Sequence, residues 1–253
     1  MTPRIPRIDG RTPDQLREVR IVPNVLRHAE GSCEIHWGRN RILCAASIDG
    51  TVPKWMAGQG KGWLTAEYAM HPRASRQRIE RDANRSKPNA RALEIQRIIG
   101  RSLRAAIDLK ALGERTVTID CDVIEADGGT RTASITGSYV ALALAIANMR
   151  EQQQIARSAV LLREPVAAVS VGMVEGRPVL DLNYLEDSQA EADMNVVMTA
   201  SGRFIEVQGT AEAAPFSPEE FTQMLALARK GITELVALQR SVVADDAAMS
   251  TSI

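Results

Sequence analysis

Residues 117–149 read VTIDCDVIEADGGTRTASITGSYVALALAIANM, and three kinds of chain meet in that one stretch. The first eleven residues alternate or run apolar in the manner of a strand. Two glycines follow. Behind them comes a segment so apolar that a helix over residues 132–156 is expected to run through or beneath a sheet rather than along a surface. A strand delivered to a buried helix through a glycine turn is the frame against which the rest of the chain has to pack.

Working outward, SCEIHWG (32–38) and RILCAASID (41–49) also read as strands. VAAVSVGMVEGRPVLDLNY (166–184) and MNVVMTASGRFIEVQGT (194–210) each read as a hairpin, turning at Glu175 and Gly176 and at Ser201 and Gly202. A second helix is expected over residues 91–107, with Ile95, Ile99, Leu103 and Ile107 on one stripe. A third is expected over 217–243, where Ser217 supplies a cap, Pro218 the first turn, and Glu219 and Glu220 charge at the positive end of the dipole. DGRTPDQLR (9–17) predicts an extended stretch and a short helical turn capped by Thr12. No Pro/Gly/Ser linker divides the chain, so the expectation is one α+β domain over 1–243 and a frayed tail over 244–253.

Composition narrows the function classes. The longest apolar run, residues 139–149, is about half of the roughly 20 residues a membrane span needs. The beginning, MTPRIPRIDGR, has neither an apolar core nor a cleavage pattern, so no signal or transit peptide is expected and the cytoplasm is the default. Cys33, Cys44 and Cys121 lie far apart inside apolar runs, which argues for small core residues rather than disulfides or a zinc knuckle. The net charge is zero, yet residues 73–104 hold nine arginines and one lysine against three acids. That concentration in an otherwise acidic chain points to a polyanion.

Three constellations carry candidate chemistry. Glu125 to Ser134 joins strand to helix; Gly128 and Gly129 allow close backbone approach, the helix N-terminus offers N–H groups, and Thr130 and Arg131 add a hydroxyl and a planar fork. The segment reads as an anion cradle, with an ordinary strand-to-helix turn as the alternative. Asp187 and Asp193 stand six residues apart, about 240° around a helix or roughly 20 Å along a strand. Only a bend over 188–192 makes them converge, and the pair then suits Mg²⁺. Asp181, Glu186 and Glu191 are competing ligands, and solvated hairpin acids are the plain alternative. The third constellation is the loop HPRASRQRIER (71–81), in which Arg73, Arg76, Arg78 and Arg81 suit a nucleic-acid backbone better than mere solubility. Only Trp55, Trp63 and Tyr68 lie nearby in sequence, so base stacking is limited. On the second helix, Arg97, Arg101 and Arg104 form a basic stripe facing RNA or a neighbouring subunit. Arg91 at its start opposes the dipole, a cost that a bound anion would remove.

DGRTPDQLR, GQGKGWLTAEYAM, RALEIQRIIGRSLRAAIDLKALGERT, IDCDVIEADGGTRTASITGSYVAL, PVAAVSVGMVEGRPVLDLNYLEDSQAEADMNVVMT and FIEVQGTAE closely resemble bacterial ribonuclease PH, over about residues 9–239. The resemblance implies a phosphorolytic exoribonuclease, a tRNA nucleotidyltransferase, that trims the single-stranded 3′ ends of transfer RNA precursors using inorganic phosphate. It further implies one α+β domain assembled into a homohexamer of three dimers. By resemblance, Arg91, Gly129, Thr130 and Arg131 bind phosphate, Asp187 and Asp193 are the active-site acids holding Mg²⁺, and Arg73, Arg76, Arg78 and Arg81 guide RNA. Two departures stand out: Asn89-Ala90-Arg91-Ala92 replaces a glycine-rich approach, and His71 replaces an apolar residue. A hydrolytic Mg²⁺ nuclease and a catalytically silent RNA-binding ring subunit are the rival readings.

Overall fold

The computed structural model describes residues 7–81, 84, 86, 87, 89–156 and 158–250, with side chains through 246. Two sheets face each other across one buried helix. The first has the order β1 (Val19–Pro23), β2 (Gly31–Trp37), β3 (Asn40–Asp49), β5 (Thr116–Glu125), β4 (Trp63–Met70). All its neighbours are antiparallel except β4 and β5, which run parallel from Trp63 opposite Thr116 to Met70 opposite Val123. A parallel pair needs a long crossover. Here α1 (Ala90–Ala106) supplies it, with the four-residue α2 (Leu109–Leu112) turning the chain back into β5. Because β4 and β5 point the same way, the loops that follow them leave from one edge. Val123 O accepts from His71 N at 2.8 Å and Ala74 O from Ala126 N at 2.9 Å, so the arginine loop starts beside the glycine turn.

The second sheet, β7 (Arg177–Leu180), β6 (Val166–Val174), β8 (Ala192–Thr199), β9 (Phe204–Ala211), is antiparallel throughout. The turn between β6 and β7 places Glu175 at φ 51° and Gly176 at φ 68°, two left-handed residues as in a tight hairpin. Between the sheets lies α3 (Thr130–Glu151), against β2 and β3 on one side and β6 on the other. Of its 22 residues only Arg131, Ala147, Asn148, Arg150 and Glu151 escape burial. Its length and apolarity would suit a membrane span, but its most apolar window is 89 % buried between the sheets, which accounts for the composition. The three cysteines lie in register across β2, β3 and β5, buried and unbridged beneath α3; Cys33 Sγ donates to Gly137 O and Cys121 Sγ meets the Ser138 hydroxyl. They are core residues.

Several expected boundaries move. The long helix starts two residues earlier, because Gly129 in the left-handed region serves as its cap, and it ends at Glu151, where Gln153 also turns left-handed. Residues 9–17 form only turns, with Gln15 N on Thr12 O, and no helix. The last helix, α5 (Pro218–Ser250), keeps the expected start: Ser217 Oγ accepts from Glu220 N while Glu220 Oε2 accepts from Ser217 N. It then runs past Val243, where fraying was expected; residues 251–253 lie outside the described chain, as does Arg85 of the basic segment. One hydrophobic core cluster takes in both sheets, α1, α3 and α5. The fold is α+β, with two sheets and five helices among the described residues.

Candidate active site

The glycine turn is held from behind. Asn40 accepts from Asp127 N and donates to Gly128 O, both at 2.6 Å, and Arg17 donates to Asp127 O at 2.6 Å and Gly128 O at 3.2 Å. Gly128 (φ 78°) and Gly129 (φ 72°) both adopt a conformation that favours glycine. A Cβ on Gly128 would come within 2.8 Å of the backbone of Asn183 and Tyr184, so the missing side chain lets the turn sit against the start of α4 (Tyr184–Asp187). Gly129 caps α3 without a side chain, leaving the first-turn N–H groups available to a ligand.

Gly129, Thr130 and Arg131 line one wall of a polar cleft of about 400 Å³, and Arg91, Asp187 and Asp193 line it too. The bend expected between the acids is real. Asn183 and Glu186 cap α4 reciprocally, each side chain accepting from the other's backbone N–H at 3.0 Å, and the helix closes after one turn at Asp187. A turn through Ser188 and Gln189 then brings the chain back as β8, with Asp193 second in the strand. Asp181, Glu186 and Glu191 do not reach the cleft. The first two are buried in ion pairs with Arg11, Arg17 and Arg7, and the third accepts from Gly176 N in the hairpin turn.

Electrostatically the cleft is only partly neutralised. Burial pushes the Asp187 carboxyl above its usual range, against the pull of Arg91, Arg131 and Arg17. Asp193 is pushed up by burial, then by Asp187 and Glu212. Thr130 shares a 2.9 Å hydrogen bond with the buried Tyr68 hydroxyl, whose own acidity burial lowers. Arg131 donates to Gln208 Oε1 at 2.6 Å and Glu94 Oε1 at 3.2 Å, and Gln208 donates to the same Glu94 oxygen at 2.8 Å. One edge of its guanidinium is thereby fixed. Arg91 is exposed in the first turn of α1, which Asn89 caps by accepting from Ala92 N.

Among the described residues no group of three or more His, Cys, Asp or Glu is arranged to hold a metal ion. The two raised, partly buried aspartates fit a divalent cation that takes one or two carboxylates and completes its shell with water and phosphate oxygens. Arg73, Arg76, Arg78 and Arg81 do not line the cleft; they are exposed in the adjoining loop. The basic stripe of α1 is partly spent inside the molecule, since Arg101 pairs with Glu206 and Arg104 lies over Trp63 and donates to Leu64 O. Sequence reasoning missed Glu94, Gln208, Thr210 and Glu212. Their signals were present: Glu94 follows Arg91 by one helical turn, and 208, 210 and 212 alternate along β9 and beyond its end.

Residues 15–147 match a family model described as 3′ exoribonuclease family, domain 1, and residues 164–231 match domain 2 of the same family. Among solved structures the chain is similar to rice (Oryza sativa) Rrp46, with TM-score 0.75, 19 % identity, and 94 % of this chain and 100 % of that one covered. It is similar also to a chain of the Archaeoglobus fulgidus exosome with RNA bound to the active site (TM-score 0.75, 22 % identity, 91 % of each chain). An archaeal exosome core gives 0.73, 19 %, and 93 % and 91 %. At such identities these likenesses speak for the fold. Matched over most of its length by both parts of the family description, the chain belongs to the 3′ exoribonuclease family, the family of ribonuclease PH.

Proposed function

We propose that the protein is a phosphorolytic 3′-to-5′ exoribonuclease that trims transfer RNA precursors. The observation that carries the reading is that one cleft is lined both by an anion cradle of Gly129, Thr130 and Arg131 with Arg91 and by the carboxylates Asp187 and Asp193. Arg91, Arg131 and the turn amides hold inorganic phosphate in line with the last internucleotide linkage. A phosphate oxygen attacks the terminal phosphorus, the bond to the upstream 3′ oxygen breaks, and a nucleoside diphosphate leaves. Asp193, raised by burial and then by the Asp187 and Glu212 carboxylates, is the acid we assign to pass a proton to that oxygen. Mg²⁺, when bound by Asp187 and Asp193, would neutralise charge on the scissile phosphate. The catalysis is positioning and electrostatics, and the exchange of a phosphodiester for a diphosphate is reversible.

Arg73, Arg76, Arg78 and Arg81, beside the cradle, would guide the single-stranded 3′ end. A ring-shaped homohexamer is the assembly we expect, in keeping with the fold shared with exosome subunits. Three unbridged thiols suit the cytoplasm. A hydrolytic nuclease has no use for the cradle, and a silent ring subunit has no use for four charged groups converging on one cleft.

Labelled RNA with a single-stranded 3′ tail, incubated with and without inorganic phosphate, separates these readings. Nucleoside diphosphates formed only with phosphate are expected. Monophosphates formed without phosphate overturn the proposal in favour of hydrolysis, and RNA retained uncut under both conditions overturns it in favour of a silent subunit.

A further inference from the structure

The segment DGRTPDQLR stands outside the cleft, and the reaction above does not use it. It is nonetheless the most heavily charged buried part of the molecule. Arg7, Arg11 and Arg17 meet Asp9, Asp181 and Glu186, and Asp181, itself 1 % exposed, is the hub. Its carboxylate accepts from Arg17 N at 2.7 Å, Arg17 Nε at 3.0 Å and Nη2 at 2.6 Å, Arg11 Nη1 at 3.3 Å and Trp37 Nε1 at 2.9 Å. Asp181 holds φ at 57°, an uncommon conformation for a residue with a side chain and one that surrounding contacts must enforce.

Arg17 is the member that reaches the site. It does not line the cleft, but a Cβ on Gly129 would stand 3.3 Å from its Nη2, so the guanidinium lies directly behind the cap of α3. Its fork grips two consecutive carbonyls, those of Asp127 and Gly128. In a trans peptide the C=O and N–H point in opposite directions. Holding these two oxygens on the Arg17 side turns the Gly128 and Gly129 N–H groups away from Arg17, and Gly129 is on the cleft wall. The same cluster also grips the segment that carries Asp187: Arg7 donates to both oxygens of Glu186, the residue that caps α4 and immediately precedes Asp187.

We infer that Arg17 is a positioning residue for phosphate, aiming the Gly128 and Gly129 amides at the anion through their carbonyls while its pairing with Asp181 ties that turn to the segment leading into α4. This rests on the phosphorolytic reading, which already uses the turn amides, and adds to it the residue that orients them. Lysine can keep the charge opposite Asp181 but offers no planar fork for two carbonyls.

The test uses the full-length protein with inorganic phosphate and a 3′-tailed RNA as separate ligands, followed by calorimetry and by KM for each. Arg17→Lys is expected to weaken phosphate binding and raise its KM at least tenfold, with RNA affinity within twofold of the original. Asn40→Ser releases the same turn without disturbing a buried charge, so it answers the question even where Arg17→Lys fails to fold. Its expected loss runs in the same direction, about threefold. Phosphate affinity unchanged in a folded variant, or equal losses for phosphate and RNA, overturns the inference alone. A wild-type protein that binds RNA but no phosphate overturns the phosphorolytic reading and the inference with it.

Discussion

Two regions of this molecule are built from the same side chains and arranged to opposite effect. Around Asp181, three arginines and three acids interlock so that every carboxylate meets a guanidinium. A few residues along the chain, Asp187, Asp193 and Glu212 share a cleft with Arg91 and Arg131, yet none of the three acids has an ion-pair partner among the described residues. In the first region charge is cancelled and the result is rigidity. In the second, Arg131 is paired with Glu94, while Asp187, Asp193 and Glu212 are left separated from any cation partner, and Asp187 and Glu212 both push up the partly buried Asp193 carboxyl. Partly buried acids with raised protonation, left unpaired in a cleft, are the mark of a functional site rather than of a structural ion-pair network.

The comparison breaks most severely at its cancelled end. Asp181→Ala leaves the buried Arg17 without its carboxylate partner and strips Arg11 of one of its three, and the expected destabilisation is about 3–5 kcal/mol in denaturant unfolding. A loss below about 1 kcal/mol would mean that water reaches the cluster. At the separated end, Arg131→Ala is expected to cost at least about 100-fold in phosphorolysis while RNA retention stays largely intact, since removing one preorganised charge stabiliser has effects of that size. Equal loss of both would assign the turn to RNA instead. Replacing Arg73 and Arg76 together should flatten the salt dependence of RNA binding by up to about two charges, and an unchanged slope would return that loop to solvated surface.

The smallest expected effect has the opposite sign. Asp193→Asn removes one of the repelling acids, so the ligand-free protein should gain stability at neutral pH, by a few degrees of Tm at roughly 2–4 °C per kcal/mol for a chain of this size, while losing activity. The pH dependence follows from the same shift. A carboxyl raised in the folded state binds its proton more tightly there than in the unfolded chain, so its contribution to stability improves as pH falls through the raised value and worsens as pH rises. Melting wild type and variant without Mg²⁺ from pH 7 downward should show their difference closing. A difference constant with pH would mean that neither burial nor its neighbours strain Asp193.

Legibility in the sequence followed local signals. The buried helix, both hairpins and the capping box of α5 were readable because period and punctuation agreed. Strand β4 was not: its inward residues Leu64, Ala66 and Tyr68 include an alanine, which weakens the alternation, and its partner β5 lies across the whole α1 crossover. Missing β4 hid the parallel pair, and with it the reason the arginine loop and the glycine turn are neighbours. The convergence of Asp187 and Asp193 was posed as a bend but not derivable, because it depends on a one-turn helix whose cap involves Asn183 and whose Glu186 is held by Arg7, 179 residues away. No window of sequence contains that contact.

The burial of α3 decides where the cleft can move. One jaw is the end of a helix wedged between two sheets, and shifting it by an ångström would mean repacking the centre of the molecule. The rest of the lining is mixed: Ser170, Asp193 and Asn195 stand on strands of the second sheet, while the first turn of α1, the last residues of β9 and the single turn of α4 are surface pieces. The cradle is an anvil. Whatever closes on a ligand must travel toward it.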